Sequence, residues 1–170
     1  MNSYNKNLFE LFYTKKITFC ELKKRFDTNK KDITLCLYED LKQAKNEHSS
    51  EDVESIIILL FECKEINRDN LIDILCELLL EPWHYKHEDI ARLLQEWKKP
   101  QAVQSLFEAC TMKFDYLDFD DSYALAIKCI WALGDIATKE SFEKLKLLSK
   151  SNNTVIKENA CHQLKKHSIT

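Results

Sequence analysis

Residues 122–149 read SYALAIKCIWALGDIATKESFEKLKLLS, and Gly134 within this stretch is the only glycine of the chain. Tyr123, Ala126, Ile127, Ile130 and Trp131 recur at helical spacing and share one face. Phe142, Leu145 and Leu148 mark a second such face. Between them the pattern predicts a short turn, with Gly134 and Asp135 at the end of the first helix and Thr138 as the N-cap of the second. The stretch is a helix–turn–helix unit, and related units recur upstream.

Composition agrees with a helical chain. Of 170 residues 45% are hydrophobic and 31% charged, and there are only one Gly and two Pro. Sheet-rich folds need more turn glycines. This length suits one domain with a real core. No apolar run approaches the roughly 20 residues that span a bilayer. The opening MNSYNKNLFELF lacks the basic and apolar regions of a signal peptide, so a cytoplasmic protein is expected. Seven cysteines (Cys20, Cys36, Cys63, Cys76, Cys110, Cys129 and Cys161) are odd in number, widely spread and without a CxxC pair. They read as small core residues in a reducing compartment, not as disulfides or metal ligands.

The net charge of −3 hides a pattern. Residues 1–50 balance at +3, residues 51–121 at −10 and residues 122–170 at +4. An acidic middle third repels nucleic acid and attracts basic proteins.

Periodicity predicts about ten helices, near 5–14, 18–27, 31–46, 51–65, 68–81, 87–98, 101–112, 122–134, 139–150 and 154–167. Thr18 and Glu21 form a capping box, Ser49 or Ser50 caps the fourth helix, Pro82 follows the fifth, and Pro100 sits near the start of the seventh. Shifting the chain by 70 aligns Leu60 with Ile130, Cys63 with Leu133, Ile66 with Ile136, Ile72 with Phe142 and Leu75 with Leu145. An intermediate copy runs through Leu94, Trp97, Ala102 and Leu106, which sets the repeat at 34–36 residues. Trp97 and Trp131 fall on core-facing positions. Two-helix units at this period predict an all-α fold, a right-handed α-solenoid of helix pairs, in which each unit buries its apolar face on its neighbours. Residues 1–170 are expected to form one solenoid domain, with divergent N-terminal helices over 1–50 and repeats over 51–170.

The run Ala126–Leu133, then Gly134-Asp135-Ile136-Ala137, a second helix and Val155–Leu164 resembles the short bacterial HEAT repeat, the type first associated with phycobilisome lyases. The likeness is closest over 122–165 and weaker over 52–112. The chain departs from that pattern in lacking an arginine in the first helix, and nothing marks a bilin site. The resemblance implies that the second helix of each pair lines a concave face. On that face 68–81 would present Asp69, Asp73 and Glu77 in one i, i+4 row, 101–112 would present Gln101, Gln104 and Glu108, and 139–150 would present Glu140 and Glu143.

Two connections carry further candidates. FDYLDFDD, residues 114–121, packs Asp115, Asp118, Asp120 and Asp121 among Phe114, Tyr116 and Phe119. It reads as a binding loop for a basic partner, or as a solvated loop with tucked aromatics and Asp120 or Asp121 capping the next helix. A calcium loop is a third reading, without the glycine and terminal glutamate of an EF-hand. The second connection, Trp83-His84-Tyr85-Lys86-His87-Glu88, has two histidines three apart but no further ligand at zinc spacing, so no metal is expected. Exposed Trp83 or Tyr85 would suit an interface anchor.

No phosphate loop, nucleophile elbow or Ser/His/Asp spacing occurs, so no catalytic residue and no cofactor is expected. The expected role is protein binding. Small, acidic repeat proteins of this kind resemble bacterial immunity proteins that neutralise toxins, including those of contact-dependent growth inhibition. A basic nuclease-type toxin domain would suit an acidic groove. The alternatives are an adaptor or assembly scaffold, and a HEAT-type DNA glycosylase. Only the basic ends, with Lys23, Lys24, Arg25, Lys165 and Lys166, favour the last.

Overall fold

The computed structural model of the chain describes residues 1–117 and 122–168. Among these residues it is all-α, with ten α-helices, three short 3-10 turns and no strand. Two compact units are formed, Met1–Leu71 and Ile72–Thr170.

The first unit holds α1 (Ser3–Tyr13), α2 (Phe19–Arg25), α3 (Ile33–Glu47), α4 (Ser50–Glu62) and a 3-10 turn (Arg68–Asn70). Short polar side chains start each helix. Asn2 caps α1, Asp32 caps α3 and Ser49 caps α4, each accepting from a backbone N–H of the first turn. Thr18 and Glu21 form the expected reciprocal box on α2. His48, at φ 50°, turns the chain in the left-handed region between α3 and α4. Leu8, Phe9, Leu22, Leu37, Leu41, Val53, Ile56 and Ile57 fill the core. Each such side chain contributes about 1.5–3 kcal/mol through burial. Asn5 is also fully buried. Its amide donates to Asp27 O at 2.8 Å and accepts from Asp27 N at 2.9 Å, so one side chain satisfies both backbone groups of Asp27 in the α2–α3 connection.

The second unit holds α5 (Ile72–Leu78), α6 (His87–Trp97), a 3-10 turn (Pro100–Ala102), α7 (Val103–Ala109), a 3-10 turn (Asp115–Leu117), α8 (Ala124–Ile136), α9 (Lys139–Leu148) and α10 (Thr154–Lys166). At its centre α8 is flanked by α6 and α10 and packs across onto α7 and α9. Leu125, Ala126, Cys129, Ile130, Ala132 and Leu133 are buried, and the small residues let neighbouring helices come close. Lys128 donates to Glu88 and Gln95 to Asp135, both pairs 40 residues apart. A constant offset means that α6 and α8 run parallel and in register. Trp131 with Asn159, and Lys166 with Asp135, tie α8 to α10 in the same sense.

Several expectations need correction. The helix expected over 68–81 begins as a separate 3-10 turn. Asn67 accepts from Asp69 N and Leu71 N–H closes on Arg68 O, so the α-helix starts only at Ile72. The helix expected over 101–112 likewise opens as a 3-10 turn at Pro100 and ends at Ala109. Gly134 does not end its helix. The helix runs on to Ile136, and Ala137 at φ 54° makes the left-handed cap. Gly134 is needed for space instead. A Cβ there would stand 2.2 Å from Gln163 Oε1 on α10. Thr138 does cap α9, with Ser141 as its reciprocal partner. Trp97 is buried as expected, but Trp131 is 40% exposed, with its ring stacked on His162 at 5.9 Å. Its Nε1–H reaches a polar partner on α10, which a core position would have denied it.

Candidate functional site

Eight residues, 79–86, join α5 to α6, and this connection is built on two histidines. His84 and His87 are both fully buried and their rings stack at 4.2 Å, 18° from parallel. His84 Nε2–H donates to Leu78 O at 2.8 Å, which satisfies a carbonyl of the last turn of α5. His87 Nε2–H donates to Glu81 O at 2.7 Å. Carbonyls only accept, so both rings carry their proton on Nε2. Burial favours the neutral rings, whose other nitrogens accept. Lys86 N–H donates to His84 Nδ1 at 3.1 Å, and the Tyr116 hydroxyl donates to His87 Nδ1 at 2.7 Å. All four ring nitrogens are bonded, and both imidazoles are neutral. Burial lowers the pKa of His84. Burial and then the neighbouring His84 ring lower that of His87 to about 4.

Aromatic rings extend this stack to the surface. Trp83 lies edge-on to His84 at 5.1 Å, and Phe114 covers His87 at 4.0 Å. The indole N–H of Trp83 donates to Glu81 Oε2 at 3.1 Å. Tyr116 is half-buried, with its phenol pushed up to about 12 by burial and then by the Glu88 carboxylate. Tyr85 stands outermost. It is 66% exposed and meets Tyr116 at 5.2 Å with the ring planes at 90°. Asp115 is exposed in the 3-10 turn just before Tyr116.

The fold thus joins candidates that the sequence offers as separate segments. Trp83, Tyr85, Asp115 and Tyr116 lie on one structure, the α5–α6 connection packed on the α7–α8 connection. The histidine pair that links them reads as an unremarkable loop in sequence. The one signal was four ring-bearing residues crowded just after Pro82. Asp118, Asp120 and Asp121 lie outside the described residues.

The acidic row is shorter than expected. Asp73 and Glu77 are both exposed on α5, one turn apart, but Asp69 sits in the 3-10 turn and is not on that helix. On α7, Gln104 and Glu108 are exposed and hydrogen-bonded to each other at 2.5 Å. On α9, Glu140 and Glu143 are exposed as expected, but lysines accompany them. α9 carries Lys144 with its ammonium over the Phe107 ring of α7 at 4.7 Å.

Three of the buried thiols are shifted away from activation. Burial raises Cys36 and Cys76 to about 11 and lifts Cys63 as well. A nucleophilic cysteine needs a shift in the opposite direction. Among the described residues no three His, Cys, Asp or Glu side chains converge as a metal site, and no helix is long and apolar enough to cross a membrane. Comparison with protein-family models, curated proteins and solved structures finds no match to this chain.

Proposed function

We propose that this protein is a binding module of HEAT-like helix pairs in a right-handed α-solenoid, and that it captures a basic protein domain. In its concrete form it is an immunity protein. It would neutralise a nuclease-type toxin domain by covering the active site or the surface that meets the substrate. The observation that carries the binding reading is Tyr85, a large ring kept 66% exposed on a base whose polar atoms are all satisfied. A rigid aromatic anchor loses little entropy when a partner covers it. The parallel register of α6 and α8 supports the solenoid reading. Exposed Asp73, Glu77 and Glu108 support a basic partner, because complementary charge speeds capture. The toxin assignment rests on the resemblance to small acidic repeat proteins, which is an analogy at the level of fold.

The test is co-expression with the product of the adjacent gene. The reading expects a complex that survives gel filtration, weakens as salt rises, and is lost in the Asp73→Lys, Glu77→Lys double variant. A complex insensitive to both salt and charge reversal, or retardation of DNA by the purified protein at the same salt, overturns it.

A further inference from the structure

The protein-binding reading leaves open which chemical group of the partner meets the aromatic surface, and the local geometry narrows this. The planes of Tyr85 and Tyr116 stand at 90° with centroids 5.2 Å apart, so the two rings form a corner. Tyr116 cannot swing out of it, because its hydroxyl is held by the buried His87 ring at 2.7 Å. Tyr85 contributes a ring that is mostly in water. In this edge-to-face contact the edge of one ring meets the face of the other, and the open face of the exposed Tyr85 ring favours a flat cation over a neutral group.

The charges around the corner have the matching sign. Glu88 and Asp89 are near enough to raise the Tyr116 phenol. Asp115 is exposed next to Tyr116, and Glu81 accepts from the Trp83 indole. Against these four carboxylates stand two ammonium groups with carboxylate partners of their own, Lys86 with Asp89 at 3.6 Å and Lys128 with Glu88 at 2.6 Å. Lys113 is also close in sequence, and counting it still leaves the carboxylates in excess. It lines a separate cavity of about 410 Å³ with Met112, Tyr123 and Ile156, which neither Tyr85 nor Tyr116 borders. The corner therefore keeps a negative surplus.

We propose that the Tyr85–Tyr116 corner is the socket for an arginine side chain of the basic partner. The guanidinium lies flat against one ring and donates its N–H groups to the carboxylates at the rim, with Asp115 as the exposed acceptor. A lysine ammonium would gain the charge but not the stacking or the fork of donors. Tyr85 acts here as a binding residue, and the histidines act only by holding Tyr116 in place.

This proposal rests on the protein-binding reading, and its test is independent of finding the partner. The full chain is titrated with N-acetyl-arginine methylamide, and saturation transfer from the protein to the guanidinium-bearing side chain is measured by NMR. The citrulline and lysine analogues serve as controls. Transfer is expected for the arginine probe, to fall about threefold in Tyr85→Ala, and to persist in Tyr85→Phe, which keeps the ring. The lysine probe is expected to bind more weakly and citrulline not at all. Equal binding of citrulline, or an unchanged signal in Tyr85→Ala, overturns the socket. Equal binding of the lysine probe overturns the assignment to arginine. None of these failures touches the charge-reversal test at Asp73 and Glu77, so the two readings fail separately.

Discussion

Two places in the second unit bury large polar side chains, and they treat them in opposite ways. At the α5–α6 connection, His84 and His87 are fully buried and every ring nitrogen has a partner. At the α8–α10 seam, Gln163 is fully buried against Gly134, and neither its Oε1 nor its Nε2 has a hydrogen-bond partner among the described residues. A satisfied buried network holds one shape, and losing any member leaves another member unpaired. An unsatisfied buried amide costs stability and specifies little. The difference teaches where the fold needs a fixed geometry. The connection that presents Tyr85 and Tyr116 has it, and the buried middle of the seam manages with packing, its hydrogen bonds lying nearer the surface.

The contrast can be broken most sharply at His87. Its replacement by alanine removes a packed ring and leaves Glu81 O and the Tyr116 hydroxyl without their partner. The expected loss is about 4 kcal/mol, combining the cavity with the stranded polar groups. Urea denaturation of His87→Ala measures it. A loss below about 1 kcal/mol would mean that the network does not hold the connection.

Acid should attack the same place without a mutation. The folded state holds His87 at about 4, below the ordinary 6.5. As pH falls below about 6.5 the unfolded chain takes up a proton that the folded chain refuses until about 4. This contribution is fully present above pH 6.5 and is lost as pH falls toward 4, with about 3 kcal/mol at stake. His84 is shifted in the same direction and adds to the loss. Urea midpoints measured across this window should fall with pH in the wild type. The slope should flatten in His87→Leu, which has nothing there to protonate. The seam has no comparable pH response to contribute through Gln163, which does not titrate.

How much of this was legible in the sequence follows from the kind of force involved. Apolar period and caps are local, so eight of the ten helices lie close to where the periodicity puts them, and Thr18, Ser49 and Thr138 cap as their residue types predict. Gly134 was misread because a glycine near a helix end suggests a turn, whereas here the constraint comes from Gln163, 29 residues further on. Asp69 fell off its row because a local competitor, the Asn67 side chain, tightens the backbone into a 3-10 turn. Period alone places Trp131 inward, but its face of α8 is closed only partly by α10. In the candidate site the residue types could be read and their meeting could not. Tyr85 and Tyr116 are 31 positions apart, and they meet where the buried His87 ring holds the Tyr116 hydroxyl beside the α5–α6 connection.

At the seam the expected effects are smaller, and one changes sign. Gly134→Ala places a methyl group 2.2 Å from Gln163 Oε1 and 2.8 Å from its Cδ, so the amide must move inside a packed interface. A cost of about 2 kcal/mol is expected. In a Gln163→Ala background the obstacle is gone, and the same change should become favourable by up to about 1 kcal/mol, the helix preference of alanine over glycine. Thermal or urea unfolding of the four proteins in this cycle gives the coupling. Additive effects would show that Gly134 serves some purpose other than room for Gln163.

The smallest expected effect comes from Gln163 itself. Gln163→Met keeps an unbranched side chain of similar length and removes both unpaired amide atoms. If the seam relies on packing alone, stability rises by about 1 kcal/mol. The equivalent change at the connection, His84→Met, also preserves much of the buried volume, but it strands Leu78 O and Lys86 N–H and must destabilise. Opposite signs for two polar-to-methionine changes in one unit would establish that satisfaction of buried groups, not burial itself, separates the region that presents a surface from the region that only holds helices together. A loss at Gln163→Met would show instead that the amide is satisfied, and that the seam is as specific as the connection.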